Sequence, residues 1–276
     1  MCAALPISHF LLPCSVVTLC TVLGVKGKGD EGGGKTGGGG GGGINFGTYY
    51  RWDALTNVTQ SSNSVSSWID ASNTVSAVQA TTAKQPVLTA NYINSMNSIV
   101  FLNSTDQVLT TGTMPASFIN IKDITFFFVA KVTTGTGHFL SSSGTWVSGS
   151  MHLAMGTNLL IAVNSTKGTS YDNNNTSITI PMNTPFIIMI NVFSTASSTS
   201  SYGRLNGVST TAFVHNSTTA LTLNTTAFDF GGWSAGGRTM TGGLSEVLMY
   251  NSTLTLTQIK SVESYLSTKW GIAVTA

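Results

Sequence analysis

Met240 to Ile272 reads MTGGLSEVLMYNSTLTLTQIKSVESYLSTKWGI. It divides into a strand, a turn and a capped helix. After the Gly242-Gly243 break, Leu244 to Tyr250 is dominated by apolar residues, β-branched and aromatic types among them, the composition of a strand. Asn251-Ser252 supplies a turn. Thr255 stands three residues before Gln258, the spacing at which a hydroxyl and an amide satisfy each other's orphan backbone N–H groups at a helix start. Leu256, Ile259, Val262, Leu266 and Trp270 then recur at three- and four-residue steps, one apolar stripe. Gly271 ends the helix. A helix with a single apolar stripe must lie on something, and nearly everything upstream reads as strand.

Working outward, short β-like runs follow one another between turn residues. They are Tyr49 to Trp52, Ile99 to Leu102, Ile124 to Val132, Met151 to Met155, Leu159 to Val163, Ser177 to Ile180, Phe186 to Phe193, Leu221 to Leu223 and Phe228 to Phe230. Asn206-Gly207 is a two-residue hairpin signal. About a dozen short strands without intervening helices predict an all-β fold: a two-sheet antiparallel jelly-roll sandwich with one C-terminal amphipathic helix packed on it. Residues 44–276 form this sandwich domain, preceded by a hydrophobic segment (1–25) and a glycine-rich linker (26–43).

Several segments, in order, resemble the laminin-G-like branch of the concanavalin A-like lectin/glucanase superfamily, of the kind found in phage and giant-virus structural proteins. Trp68-Ile69-Asp70-Ala71-Ser72 resembles its early W-x-D-x-S segment. Gln85-Pro86, followed by Asn97 to Phe101, resembles its QP…N…V-x-F passage. Gly243 to Tyr250, with Tyr265-Leu266 and Lys269-Trp270-Gly271-Ile272, is similar to its closing G-x-x-x-E-V-x-x-Y…Y-L-x-x-K-W-G-I. The resemblance spans about Tyr50 to Ile272. It implies the sandwich fold but no single activity, since such a fold hosts hydrolases, lectins and inert structural modules.

Composition narrows the function classes. Only 8% of residues are charged and the formal net charge is +2. Twelve Lys and Arg, spread along the chain, make no phosphate-neutralising patch, which argues against nucleic acid as a partner. Cys2, Cys14 and Cys20 all precede the glycine tract, so no disulfide staples the domain. Phe10 to Val25 has the length of a signal-peptide core but lacks a basic flank, and Pro13 interrupts it. A cleaved signal, a docking arm and a membrane anchor all stay open. Gly29 to Thr36 matches a phosphate-binding loop literally, yet seven glycines follow where that motif needs a helix, so the match is rejected. As a flexible tether the tract would span roughly 24 Å.

Chemistry is sparse. A retaining glycosidase needs two carboxylates about 5 Å apart. Glu246 has no acidic neighbour along its own strand, and Glu263 is placed on the exposed side of the helix. His138, His152 and His215 have no metal-ligand spacing. The chain is therefore read as a non-enzyme. Trp146, Tyr171 and Trp233, in or beside polar loops, are the candidates for stacking on a sugar. No cofactor is required, although Asp172 and Asn174, in the loop Asp172 to Asn175, are candidate calcium ligands. Eight N-x-Ser/Thr sequons, at Asn57, Asn103, Asn164, Asn174, Asn175, Asn216, Asn224 and Asn251, are candidate glycosylation sites.

Two functions fit. One is a structural or adhesion component of a virion, docked to other capsid proteins through the N-terminal arm and presenting a lectin-like jelly roll. The other is a secreted or cell-surface carbohydrate-binding module. Both place the chain on a virion surface or outside the cell, as a homo-oligomer, with glycans as ligands.

Overall fold

The computed structural model describes residues 44–119, 121–147, 149–156, 158–163, 172–192, 201–210 and 225–275; of residues 162, 163 and 172–175 it describes the backbone alone. The expected arm and linker, residues 1–43, and the expected run Leu221 to Leu223 lie outside them.

The strands in chain order are β1 (Tyr49–Asp53), β2 (Val58–Ser61), β3 (Ser64–Ile69), β4 (Ser76–Val78), β5 (Val87–Ile93), β6 (Met96–Phe101), β7 (Leu109–Thr111), β8 (Ile124–Val132) and β9 (Gly137–Ser142). There follow β10 (Met151–Met155), β11 (Leu159–Val163), β12 (Asp172–Asn175), β13 (Phe186–Val192), β14 (Tyr202–Leu205), β15 (Val208–Ser209), β16 (Phe228–Phe230) and β17 (Gly242–Tyr250). The helix α1 (Leu256–Trp270) comes last. All ladders between these strands are antiparallel. One run of pairings goes β15–β14–β13–β8–β17. The far edge of β17 is divided: Gly242 to Leu244 pair with β6 and Glu246 to Tyr250 with β1. From β6 the ladder continues through β5, β3, β4, β7, β16, β9, β10 and β11 to β12.

The strong runs of the sequence fold as strands because their side chains are buried on both faces. In β8, Ile124, Phe126, Phe128, Ala130 and Val132 enter the larger core with Trp68, Phe139, Leu153 and Phe230. Phe127 and Val129 point the other way, into a second core under the helix. In β13, Phe186, Ile188 and Ile190 divide from Ile187 and Met189 by the same alternation. Such strands read as continuous apolar runs.

The helix follows its sequence signals. Thr255 caps it, with the Gln258 N–H donating to the Thr255 hydroxyl and the Thr255 N–H to the Gln258 side chain at 2.9 Å. Gly271 closes it at φ 63°, a left-handed conformation that glycine adopts without strain. Ile259, Val262, Leu266 and Trp270 are fully buried, each contributing about 1.5–3 kcal/mol of apolar burial.

Some expectations need correction. Leu256, placed in the stripe, is exposed, because the first helical residue lies before the turns that meet the sheet. Glu263, placed on the exposed side, is buried: Arg204 on β14 donates from Nε to Oε1 at 2.8 Å and from Nη2 to Oε2 at 3.1 Å. Ser177 to Ile180 is not a strand, though Ile178 and Ile180 still enter the core. Asp172 to Asn175, expected as a loop, is strand β12, its backbone paired with Leu160 to Val163. Asn206-Gly207 does make the hairpin turn, with φ 47° and 83°.

Candidate functional site

A bulge decides where the one buried glutamate of β17 points. In the β17–β8 ladder Leu244 faces Ala130 and Glu246 faces Val129, so Ser245 is an extra residue. Leu244 and Val247 therefore both face the larger core, and Glu246 falls on the helix side. There it meets the last two turns of α1. Its Oε2 accepts from Lys269 Nζ at 2.7 Å and Trp270 Nε1 at 2.6 Å; its Oε1 accepts from the Tyr265 hydroxyl at 2.9 Å. Arg51 Nε lies 3.8 Å from Oε1. Across the strand, in register with Glu246, Asp53 takes the same Lys269 ammonium at 2.5 Å. Burial pushes the Glu246 carboxyl up in pKa, and Lys269 opposes that shift.

The Glu, Tyr, Lys and Trp of the closing sequence signature are thus one hydrogen-bonded centre that fastens helix to sheet. Glu246 does have an acidic partner, Asp53, which comes from the neighbouring strand and was invisible along β17. An ammonium occupies the space between the two carboxylates, and Glu246 has no exposed surface.

The second cluster joins residues that the sequence scattered. On β9 and β10, His152 is directly opposite Ser141, and a bulge shifts the register between Leu153 and Ala154 so that His138 faces Ala154. Phe139 and Leu140 both enter the core, while His138 and Ser141 share the other side. His138 Nδ1 and His152 Nδ1 lie 2.7 and 2.9 Å from Ser141 Oγ and 3.2 Å from each other. Burial, then Arg238, lowers the pKa of His138 to about 4. Burial, then His138 and Arg238, lowers that of His152 to about 3. Both imidazoles are neutral at physiological pH.

Two half-buried tryptophans from separate connections close on this pair. Trp146, between β9 and β10, stacks on His152 with centroids 4.3 Å apart. Trp233, between β16 and β17, lies edge-to-face with His152 at 4.9 Å and near-parallel to His138 at 6.4 Å. Trp233 Nε1 donates to the Gly144 carbonyl at 2.8 Å, tying the two connections together. The Trp233 loop is held from below by buried Asp229, which accepts from Ser234 N at 2.8 Å and Thr110 Oγ1 at 2.7 Å. A Cβ on Gly236 would fall 2.0 Å from the Trp233 ring, so only glycine lets the loop turn this tightly.

Trp233 also walls a groove of about 180 Å³ lined by Gln79, Lys84, Asp106, Thr110 and Ser234 among others. Gln79 is fixed there, donating from Nε2 to the Val108 carbonyl at 3.1 Å.

Of the residues singled out in the sequence, Trp146 and Trp233 are therefore brought together. Tyr171 lies outside the described residues, as do His215 and the sequons at Asn164, Asn216 and Asn224. The side chains of Asp172, Asn174 and Asn175 lie outside them too. Among the described residues no group of three His, Cys, Asp or Glu is placed to hold a metal, and no helix is long and apolar enough to cross a membrane. The histidine pair was missed because its members are fourteen residues apart on two strands. The one available signal was His152 in a run, Met151 to Met155, otherwise apolar.

The described sequons are not equivalent. Asn57 donates its amide to Asn73 Oδ1 at 3.2 Å, and Asn251 donates to the Ser117 carbonyl at 3.1 Å. Asn103 is exposed on a short 3-10 turn; its backbone N–H donates to Thr241 Oγ1 at 3.3 Å, and its side-chain amide makes no hydrogen bond among the described residues. Expression in a glycosylating host is expected to load Asn103 ahead of Asn57 and Asn251. Glycopeptide mass spectrometry checks this, and a bare Asn103 beside an occupied Asn57 would contradict it.

No protein-family model matches the chain, and no curated protein matches it by sequence. Solved structures do resemble it. A sialidase of Trypanosoma rangeli, in complex with the inhibitor DANA, aligns with a TM-score of 0.51 at 12% identity, over 82% of this chain and 33% of the sialidase. The chain thus spans about a third of that enzyme's length. Domain 4 of AbnA, a GH43 extracellular arabinanase from Geobacillus stearothermophilus, in complex with arabinotriose, aligns with a TM-score of 0.51 at 15% identity, over 78% of this chain and 97% of the domain. At such identities the likeness is one of fold: a mostly antiparallel β architecture shared with parts of proteins that act on or hold carbohydrate.

Proposed function

We propose that the chain is a non-enzymatic carbohydrate-binding module built on a lectin-like jelly-roll sandwich. The observation that carries this reading is the meeting of Trp146 and Trp233, from two separate connections, on a buried histidine pair beside a polar groove. Half-exposed aromatic rings held rigidly next to hydrogen-bonding groups suit a sugar, whose C–H face stacks while its hydroxyls pair. The likeness to a whole arabinanase domain solved with arabinotriose supports it. A virion location would add to this function, with residues 1–25 docking the module on a particle and residues 26–43 as tether.

Glycan-array binding, with and without calcium, tests the reading. Binding of at least one glycan is expected, weakened tenfold or more in Trp146→Ala and Trp233→Ala. Binding equal to background in both conditions, or full affinity in both variants, would overturn it.

A further inference from the structure

The groove beside Trp233 holds two charges that satisfy nobody. Lys84 and Asp106 both line it, yet neither forms an ion pair or a side-chain hydrogen bond among the described residues. The buried carboxylates Glu246, Asp53 and Glu263, by contrast, all have cationic partners. Opposite charges that line one groove without closing on each other leave room for a ligand that both can grip.

We propose that this groove is a subsite for one uncharged sugar ring at the end of a glycan, held through vicinal hydroxyls by Asp106 and Lys84 against the wall of Trp233. The proposal rests on the carbohydrate-binding reading above and names the ligand class of that site.

The chemistry follows from the inventory. A carboxylate only accepts, and an ammonium only donates. A sugar hydroxyl does both, so adjacent hydroxyls can give a proton to Asp106 and take one from Lys84, each bond being charge-assisted. An anionic sugar would gain Lys84 but face Asp106, so the balanced pair favours a neutral ring. Size argues for a chain end: about 180 Å³ lies below the roughly 300–1,000 Å³ of ordinary small-molecule sites. Gln79 and Ser234 line the same space and offer further polar contacts.

The test uses the full chain in titration calorimetry with L-arabinose, D-galactose, D-glucose and D-mannose. Arabinotriose and N-acetylneuraminic acid are the long and the anionic comparators. At least one neutral monosaccharide is expected to bind, and adding two rings should change Kd by less than threefold. Asp106→Asn and Lys84→Met are each expected to weaken that binding about tenfold. Both residues are exposed, and asparagine tolerates the left-handed conformation at position 106 (φ 48°), so folding is spared. A trisaccharide binding more than tenfold tighter than the monosaccharide, or tighter binding of N-acetylneuraminic acid, would overturn the proposal. If Trp233→Ala abolishes binding while Asp106→Asn and Lys84→Met do not, the groove proposal fails and the tryptophan reading stands. If both charge variants lose binding and both tryptophan variants keep it, the tryptophan reading fails and with it the Trp233 wall of this subsite, leaving only the grip of Asp106 and Lys84.

Discussion

Glu246→Ala is expected to lower the unfolding free energy by about 3 kcal/mol, the low end of the range for breaking a buried ion pair. The substitution leaves the Tyr265 hydroxyl and Trp270 Nε1 without their acceptor, and Lys269 with Asp53 as its one carboxylate. The low end applies because Lys269 is partly solvated, at 20% side-chain exposure. For a domain of this size the thermal midpoint should fall by roughly 6–12 °C. Glu246→Gln keeps the shape and one acceptor and should cost less. Urea denaturation of both variants, together with a Glu246/Lys269 double-mutant cycle, measures the effect. A loss under 1 kcal/mol in the alanine variant, with no coupling to Lys269, would show that the centre does not fasten the helix.

Acid should destabilise the fold through the histidine pair. Both imidazoles are held neutral in the folded chain, near pKa 4 and 3, against an ordinary value of 6.5. Between those limits the unfolded chain binds more protons than the folded one, so stability falls as pH falls. The contribution is fully present above about pH 6.5 and is lost as pH drops through 4 and 3. From pH 6 to pH 4 the loss is about 2 kcal/mol per imidazole. Glu246 acts with the opposite sign, because its raised carboxyl favours the folded state below its ordinary value and loses that contribution as pH rises. The His138→Gln/His152→Gln variant separates the two: its midpoint should fall less steeply between pH 6 and 4 than that of the unmodified chain. NMR titration reads the same quantity directly, with both imidazoles expected neutral at pH 5. A histidine of this pair titrating near 6.5 would refute the assignment.

The disulfide-free core, the strands β8, β10, β11 and β13, the Asn206-Gly207 turn and the helix with both its caps were all legible in the sequence. Each depends on local chemistry: an apolar run along a strand, side-chain bonds within four residues, or a glycine at positive φ. The early W-x-D-x-S segment is legible for the same reason. Trp68 fills the core, and Asp70 accepts from the backbone N–H groups of Ser72, Thr74 and Val75 at 2.7, 2.8 and 2.6 Å, a loop tied within five residues. The short strands β4 and β7 carry weak patterns of their own and exist because neighbours supply their partners.

What the helix-capped strand β17 would do with its glutamate was not legible. Strict alternation from Leu244 would send Glu246 into the apolar core; only the Ser245 bulge turns it toward Lys269 and Trp270, and only the β1 register sets Asp53 opposite. The tryptophan–histidine cluster is decided in the same way. Trp146 and Trp233 could be chosen one at a time from their polar surroundings, but their meeting required the β9–β10 and β16–β9 pairings. By itself the sequence determined an antiparallel β body with a capped helix lying on it, since periodicity and caps are short-range properties of the chain. Tertiary structure alone decided which charges meet, which histidines touch and which two tryptophans share a surface, because those distances are set by strand register and bulges between segments remote in sequence.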